Sequence, residues 1–195
     1  MNEMIKMVVV LTILSSVSGG LLAAVHNGTA VQIEDQQLKF VKGPAIKAIL
    51  KGSTNDPIAD RFKIQDGDVE RSFFVGKFDG KANTVAFEGF GKGYGGDIGV
   101  MIGVNLDADK LVGVSVTTHS ETPGLGAKSK EDPSFSAQFK NISTNDNIKV
   151  TNDGGNINAI SGATITSRAV CDSVGKSLEI YNKIKPQLAD QVKAF

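Results

Sequence analysis

The residues best suited to chemistry fall in three short segments rich in glycine and hydroxyl side chains. The sharpest is Ile160-Ser161-Gly162-Ala163-Thr164-Ile165-Thr166-Ser167, which reads as a strand-to-helix junction. Gly162 and Ala163 leave room above the backbone. Thr164, Thr166 and Ser167 fall where the first turn of a helix leaves amide N–H groups unpaired. Those amides and the helix dipole favour an anionic oxygen, which is why phosphates bind at helix N-termini. An N-cap with nothing bound uses the same residue types, so spacing alone leaves both readings open. The second segment is His119-Ser120-Glu121-Thr122-Pro123-Gly124-Leu125-Gly126. Its proline and two glycines fix a loop whose backbone can lie close to a flat ligand, with Leu125 placed to cap a ring; a structural turn is the alternative. The third, Gly91-Lys92-Gly93-Tyr94-Gly95-Gly96, sets four glycines around one tyrosine. It has no Gly-Lys-Ser/Thr ending and is not a Walker loop, and a tight turn between strands accounts for it.

Other chemistries find little support. Neither Ser120 nor Ser161 has the flanks of a nucleophile elbow. His119 and Glu121 are not expected to form a dyad, and Cys171 falls inside the last helix as a packing residue. No catalytic residue is therefore assigned. His26, His119 and Cys171 are the only soft ligands, too few for a structural zinc, and no metal site is expected. Lys+Arg 21 against Asp+Glu 21 gives zero formal charge, which argues against a nucleic-acid partner. A hydrophobic fraction of 41% with 22% charged residues excludes disorder over most of the 195 residues, a length with room for one ordinary domain and little more.

The elements that must position these segments follow from hydrophobic patterning. From Met7 to Val25 there are 19 residues without a charge. At about 1.5 Å per residue they span roughly 28 Å, close to the thickness of a bilayer core. The run is longer than a usual signal-peptide core, so a retained transmembrane anchor is expected over residues 1–26. Ser15, Ser16, Ser18, Gly19 and Gly20 give it a small-residue face for packing on other membrane helices. Lys6 and the N-terminal amine favour a cytoplasmic N-terminus, with the rest of the chain translocated. Residues 27–66 read as a membrane-proximal helical segment, with helical spacing in Ala45–Lys51 broken at Asn55-Asp56-Pro57. Residues 67–195 form the remaining domain. There, strand patterns cover 72–78, 84–90, 98–106 and 111–117, with a hairpin turn at Asp107–Lys110. A short helix over 134–140, a short strand over 148–151 and a turn at 153–156 follow. A long helix over 164–184 places Val170, Val174, Leu178 and Tyr181 on one face and is interrupted by Pro186. The fold class expected is α+β: one N-terminal transmembrane helix, then an antiparallel sheet of at least four strands packed with helices.

In their order along the chain, GYGG at 93–96, ETPGLG at 121–126 and SGATITS at 161–167 resemble the FMN-binding domain of the G subunit of the Rnf electron-transport complex. The C subunit of the sodium-translocating NADH:quinone reductase is a more distant relative, usually longer. The resemblance implies an FMN attached covalently, through its phosphate, to Thr164. It implies Ser161, Gly162, Ala163, Ile165, Thr166 and Ser167 around the phosphate, with the Thr166 and Ser167 hydroxyls bonding phosphate oxygens. Glu121, Thr122, Gly124, Leu125 and Gly126 would lie against the isoalloxazine. Many members carry Asp six residues before the acceptor, where this chain has Asn158. The resemblance further implies an electron carrier without turnover of its own, in the inner membrane, with its flavin domain on the extracytoplasmic side. Its expected partners are the other membrane subunits, a second flavin-carrying one among them, and an FAD-dependent, Mg-requiring flavin transferase for maturation. The complex would move electrons between ferredoxin and NAD and couple this to Na⁺ or H⁺ transport. The competing readings are a flavin-free anchored assembly module of the same fold, the quinone-reductase C subunit, and a secreted hydrolase with a cleaved signal.

Overall fold

A computed structural model describes residues 2–67 and 69–195. The uncharged N-terminal stretch forms part of α1 (Asn2–Gln36), a 35-residue helix with no buried residue. It is long and apolar enough to cross a membrane. Its large side chains, from Met4 to Val31, stand exposed. The hydroxyls of Thr12 and Thr29 donate back to the carbonyls of Val8 and Val25, both at 2.8 Å, satisfying those hydroxyls without water. The chain divides into two units, Met1–Phe40 and Val41–Phe195. The helix thus runs past the anchor end expected at 26. No proline interrupts the helix after His26, so it runs on to Gln36 and continues as a π-helical turn, Gln37–Lys42.

In the second unit, α2 (Gly43–Ile49) precedes five strands: β1 (Arg61–Asp66), β2 (Val69–Phe78), β3 (Lys81–Lys92), β4 (Asp97–Asn105) and β5 (Lys110–Thr118). They form one antiparallel meander in the order β1-β2-β3-β4-β5. The four expected strands fall on β2 to β5, the third running one residue past the end of β4. β1 falls in the stretch expected to be helical and corrects it. It is an edge strand burying only Ile64, so its apolar alternation is too short to stand out beside the Pro57 break. Register aligns Phe73 with Phe87, and Phe87 with Ile102. Phe62, Phe73 and Phe87 stack across the sheet with ring centroids 5.7 and 5.1 Å apart.

α5 (Thr164–Val192) covers that face with Val170, Val174, Leu178 and Tyr181, the stripe expected from its spacing. Pro186 does not end it. The missing proline N–H costs about 3 kcal/mol in a helix interior. Beyond it, Leu188 and Val192 are buried, the latter against Val75 and Val85, and two such burials contribute about 1.5–3 kcal/mol each. The short helices α3 (Lys128–Glu131) and α4 (Pro133–Ala137) follow β5. Asp132 caps α4 by accepting from the Ser134 amide at 2.9 Å. The strand expected over 148–151 is a single parallel bridge, Val150 to Ile157, because a 3₁₀ turn at Thr151–Asp153 takes the chain out of extension.

The β4–β5 turn is tied to α5. Asp109 accepts from the Tyr181 hydroxyl at 3.0 Å and from Lys185 at 2.6 Å. The Lys185 hydrogen bond, and then that of Tyr181, hold Asp109 below the usual carboxylate range against partial desolvation. A carboxylate depressed on folding stabilises above its unfolded pKa, and that contribution is lost as pH falls through the folded value. Asp109→Asn is therefore expected to cost about 1 kcal/mol at neutral pH, roughly 2–4 °C in Tm, with the gap to wild type closing below about pH 4. Thermal melts of the full chain in detergent from pH 7 to pH 3 check it.

Candidate functional site

The three motif segments meet at the N-terminus of α5. Glu121 emerges just after β5 and is 6% exposed. Its Oε1 accepts from the Gly95 amide at 2.8 Å, and its Oε2 accepts a short hydrogen bond from the Thr166 hydroxyl. One buried side chain thus joins the glycine-tyrosine loop, the ETPGLG loop and the first turn of α5. Both neighbours are donors, which suits an acceptor-only carboxylate. The loops also touch through backbone: a Cβ on Gly95 would lie 2.0 Å from the Ser120 carbonyl oxygen.

Between them opens a cleft of about 550 Å³, with Tyr94, Glu121, Thr122, Leu125 and Gly126 on one side and residues 162–166 on the other. Its size is that of a small-molecule site. At its floor the chain enters α5 through Gly162, whose φ of 77° lies in the left-handed region that favours glycine. Ala163 then caps the helix without a side-chain acceptor. The first backbone bond is from Ser167 N–H to the Ala163 carbonyl, 3.0 Å. Among the described residues, the amides of Thr164, Ile165 and Thr166 have no protein acceptor. The Thr164 hydroxyl, half-buried at the cleft, likewise has no hydrogen-bond partner among the described residues. Three free amides at the positive end of a 29-residue helix are a fit for a phosphate group. Leu125 and Ile165, 46% and 50% exposed, offer apolar surface to a flat ring beside it.

Not every expected site residue faces this space. Ser167 is fully buried: its hydroxyl accepts from the Ile160 amide at 2.9 Å and donates to the Ala163 carbonyl at 3.0 Å. It builds the strand-to-helix junction and leaves nothing for a ligand. The Thr166 hydroxyl donates to Glu121, so in this structure both hydroxyls expected at the phosphate donate within the protein. The Glu121 oxygens are each taken as well, which makes this residue part of the wall. Ser161 is exposed and lies outside the cleft lining, as does Gly124. Gly124 instead takes a φ of 74° in the turn where the Leu125 amide donates to the Thr122 carbonyl at 3.2 Å. Tyr94 was missed: 75% exposed, it lines the cleft from the segment read as a plain turn. An aromatic flanked by glycines, which a turn does not need, was its signal. Asn158 is clamped through its backbone, its amide donating to Gln138 Oε1 at 2.7 Å and its carbonyl accepting from Gln138 Nε2 at 3.2 Å, while its side chain is exposed. Burial pushes the Cys171 thiol up to about 12, far from a reactive thiolate. Among the described residues no group of three or more His, Cys, Asp or Glu side chains is placed to hold a metal ion.

The FMN-binding domain family matches residues 93–179, a span that takes in all three motifs. The G subunit of the ion-translocating oxidoreductase complex of Methanosarcina acetivorans is 33% identical over 91% of this chain and 94% of its own length. The G subunit of the proton-translocating ferredoxin:NAD(+) oxidoreductase complex of Clostridium ljungdahlii is 33% identical over 87% of this chain and 86% of its own. The crystal structure of NqrC from Shewanella oneidensis matches with a TM-score of 0.52 at 22% identity, covering 74% of this chain and 73% of that one, which shows a shared fold. With such identity sustained over nearly the full length of these relatives, the chain belongs to the G-subunit family of Rnf-type ion-translocating oxidoreductase complexes.

Proposed function

We propose that this chain is the electron-carrying G subunit of a membrane-bound ferredoxin:NAD oxidoreductase complex, relaying electrons through an FMN joined to Thr164 by a phosphoester. The observation that carries this reading is the Thr164 hydroxyl, without a partner among the described residues, beside three amides at the head of α5 that likewise have none. An ester there keeps one negative charge on the phosphate, directed at those amides. The choice of acceptor follows from the neighbouring hydroxyls: Ser167 and Thr166 are buried and bonded, and Ser161 lies outside the cleft. In maturation the Thr164 oxygen forms a bond to the FMN phosphorus of FAD, the phosphoanhydride bond breaks, AMP leaves, and the hydroxyl proton passes to solvent or to a base of a Mg-dependent transferase. When bound, FMN supplies reversible electron transfer. The protein's part is to hold its phosphate at α5, offer Leu125, Ile165 and Tyr94 to its ring, and keep the three loops in register through Glu121. A covalent tether keeps the cofactor in place whatever its charge and redox state.

In this reading α1 is a single-pass anchor in the cytoplasmic membrane, with Lys6 on the cytoplasmic side and the flavin domain outside. Other membrane subunits, one carrying a second flavin, supply and remove the electrons, and the complex couples the transfer to movement of Na⁺ or H⁺. The test is intact mass of the full chain expressed with and without an FAD-dependent flavin transferase. The expected result is an addition equal to FMN less one water, present only with the enzyme, with a fluorescent band surviving a denaturing gel. An unmodified mass in the presence of an active transferase would overturn covalent attachment.

A further inference from the structure

We propose that Glu121 sets the reduction potential of the flavin in this cleft: its buried carboxylate lowers the potential, and the Thr166 hydroxyl tempers that effect. The inference rests on the reading that FMN occupies the cleft, and it concerns the charge of the wall. Among the described residues, Tyr94 and Glu121 are the only side chains of the lining that can ionise, and no Lys, Arg or His is among them. Glu121 takes part in no ion pair among the described residues. Of the basic residues near it along the chain, Lys128 is exposed and acts on Asp132, Lys130 bonds the Thr117 carbonyl at 2.7 Å, Lys92 pairs with Asp97 at 2.7 Å, and Arg168 pairs with Asp153 at 2.6 Å. His119 Nδ1 accepts from the Glu121 backbone amide at 3.3 Å and is not among the carboxylate's partners. Two neutral donors, Gly95 N–H and Thr166 O–H, are the carboxylate's partners. Neither carries a charge to set against that of the carboxylate.

That charge acts on reduction. Were a flavin held here, its two-electron reduction, with electrons from one redox partner of the complex passed on to the next carrier and one proton exchanged with solvent, would add one net negative charge beside Glu121. A fixed carboxylate in a water-poor wall disfavours the added charge, because the Coulomb interaction is weakly screened there. The free amides of α5 do not cancel the effect, since the phosphate ester already places an anion against them. Thr166 donates to the Oε2 of Glu121 and draws off part of its charge, so removing that donor acts opposite to removing the carboxylate.

The experiment is a spectroelectrochemical titration of the flavin-loaded full chain as wild type, Glu121→Gln and Thr166→Val, with loading of each checked by intact mass. Glu121→Gln keeps an acceptor for the Gly95 amide and is expected to favour the reduced form by at least tenfold, a rise of about 30 mV for a two-electron couple. Thr166→Val keeps the charge and is expected to lower the potential. A role confined to holding the loops together would move both variants in the same direction, as the site loosened in each. Potentials that shift with the same sign, or a Glu121→Gln potential at or below wild type, would overturn the proposal. If Glu121→Gln does not take up flavin, Thr166→Val decides, and a potential at or above wild type overturns it. A wild type that carries no flavin would show instead that the FMN reading itself fails.

Discussion

Thr164→Val is expected to yield a folded chain that carries no flavin. Valine matches threonine in shape, and the hydroxyl it removes makes no hydrogen bond among the described residues, so no fold contact is lost. Stability should stay within about 0.5 kcal/mol of wild type, as for substitutions away from core and network features. Loading, by contrast, should fall from nearly complete to undetectable, because the nucleophilic oxygen is gone, and Thr164→Ser should restore it in large part. Thr166→Val separates position from composition. Two residues along and equally a threonine-to-valine change, it should keep its flavin yet melt lower, because its hydroxyl is bonded to a buried carboxylate. Hydrogen bonds to charged groups are worth about 1.5–3 kcal/mol, or several degrees in Tm. Intact mass, fluorescence in denaturing gels and thermal melts of the three variants read both effects. Flavin persisting on Thr164→Val would move the acceptor to another hydroxyl, with Thr122, exposed and on the cleft wall, next in line.

What could be read from sequence divides along physical lines. Strands β2 to β5 announced themselves because one or both faces are buried and their apolar residues repeat. β1 buries one side chain and gave no such pattern. The helix stripe Val170, Val174, Leu178 and Tyr181 was legible for the same reason, while the effect of Pro186 was not. Whether a proline ends a helix depends on what the residues beyond it bury, and Leu188 and Val192 find partners far away in sequence. At the site, residue types located the phosphate end: small residues and hydroxyls before a helix have few other uses. They could not show which hydroxyls were free. Thr164, Thr166 and Ser167 look equivalent in sequence and differ only because Glu121, 45 residues before Thr166, claims one and the junction backbone claims another. Nor could sequence show that both Glu121 oxygens are engaged within the protein, since its partners lie on loops that only the meander brings together.

The placement of that helix end depends on how closely α5 crosses β3, and Gly91→Ala tests this with a large expected effect. A Cβ on Gly91 would stand 2.1 Å from the Ala169 carbonyl oxygen and 2.9 Å from its carbon. Both are backbone atoms of α5, so no side-chain rotation relieves the clash; helix and strand must separate. Overpacking of this kind costs about 1–3 kcal/mol, and a contact against backbone belongs at the upper end, roughly 6–12 °C in Tm for a domain of this size. Ala169 lies one to two turns from Thr164, so the shift is carried to the helix end. There it draws Thr166 off Glu121 and displaces the acceptor hydroxyl, and flavin loading should fall along with stability. Gly175→Ala is the matched change of opposite sign. It lies in the same helix with nothing within 4 Å of its added methyl, and should gain about 1 kcal/mol from helix propensity, roughly 2–4 °C, with loading unchanged. Melts and intact masses of both variants decide the matter. Should Gly91→Ala melt and load like wild type, α5 does not lie this close to β3, and the contact that brings Thr166 to Glu121 must be held by other elements.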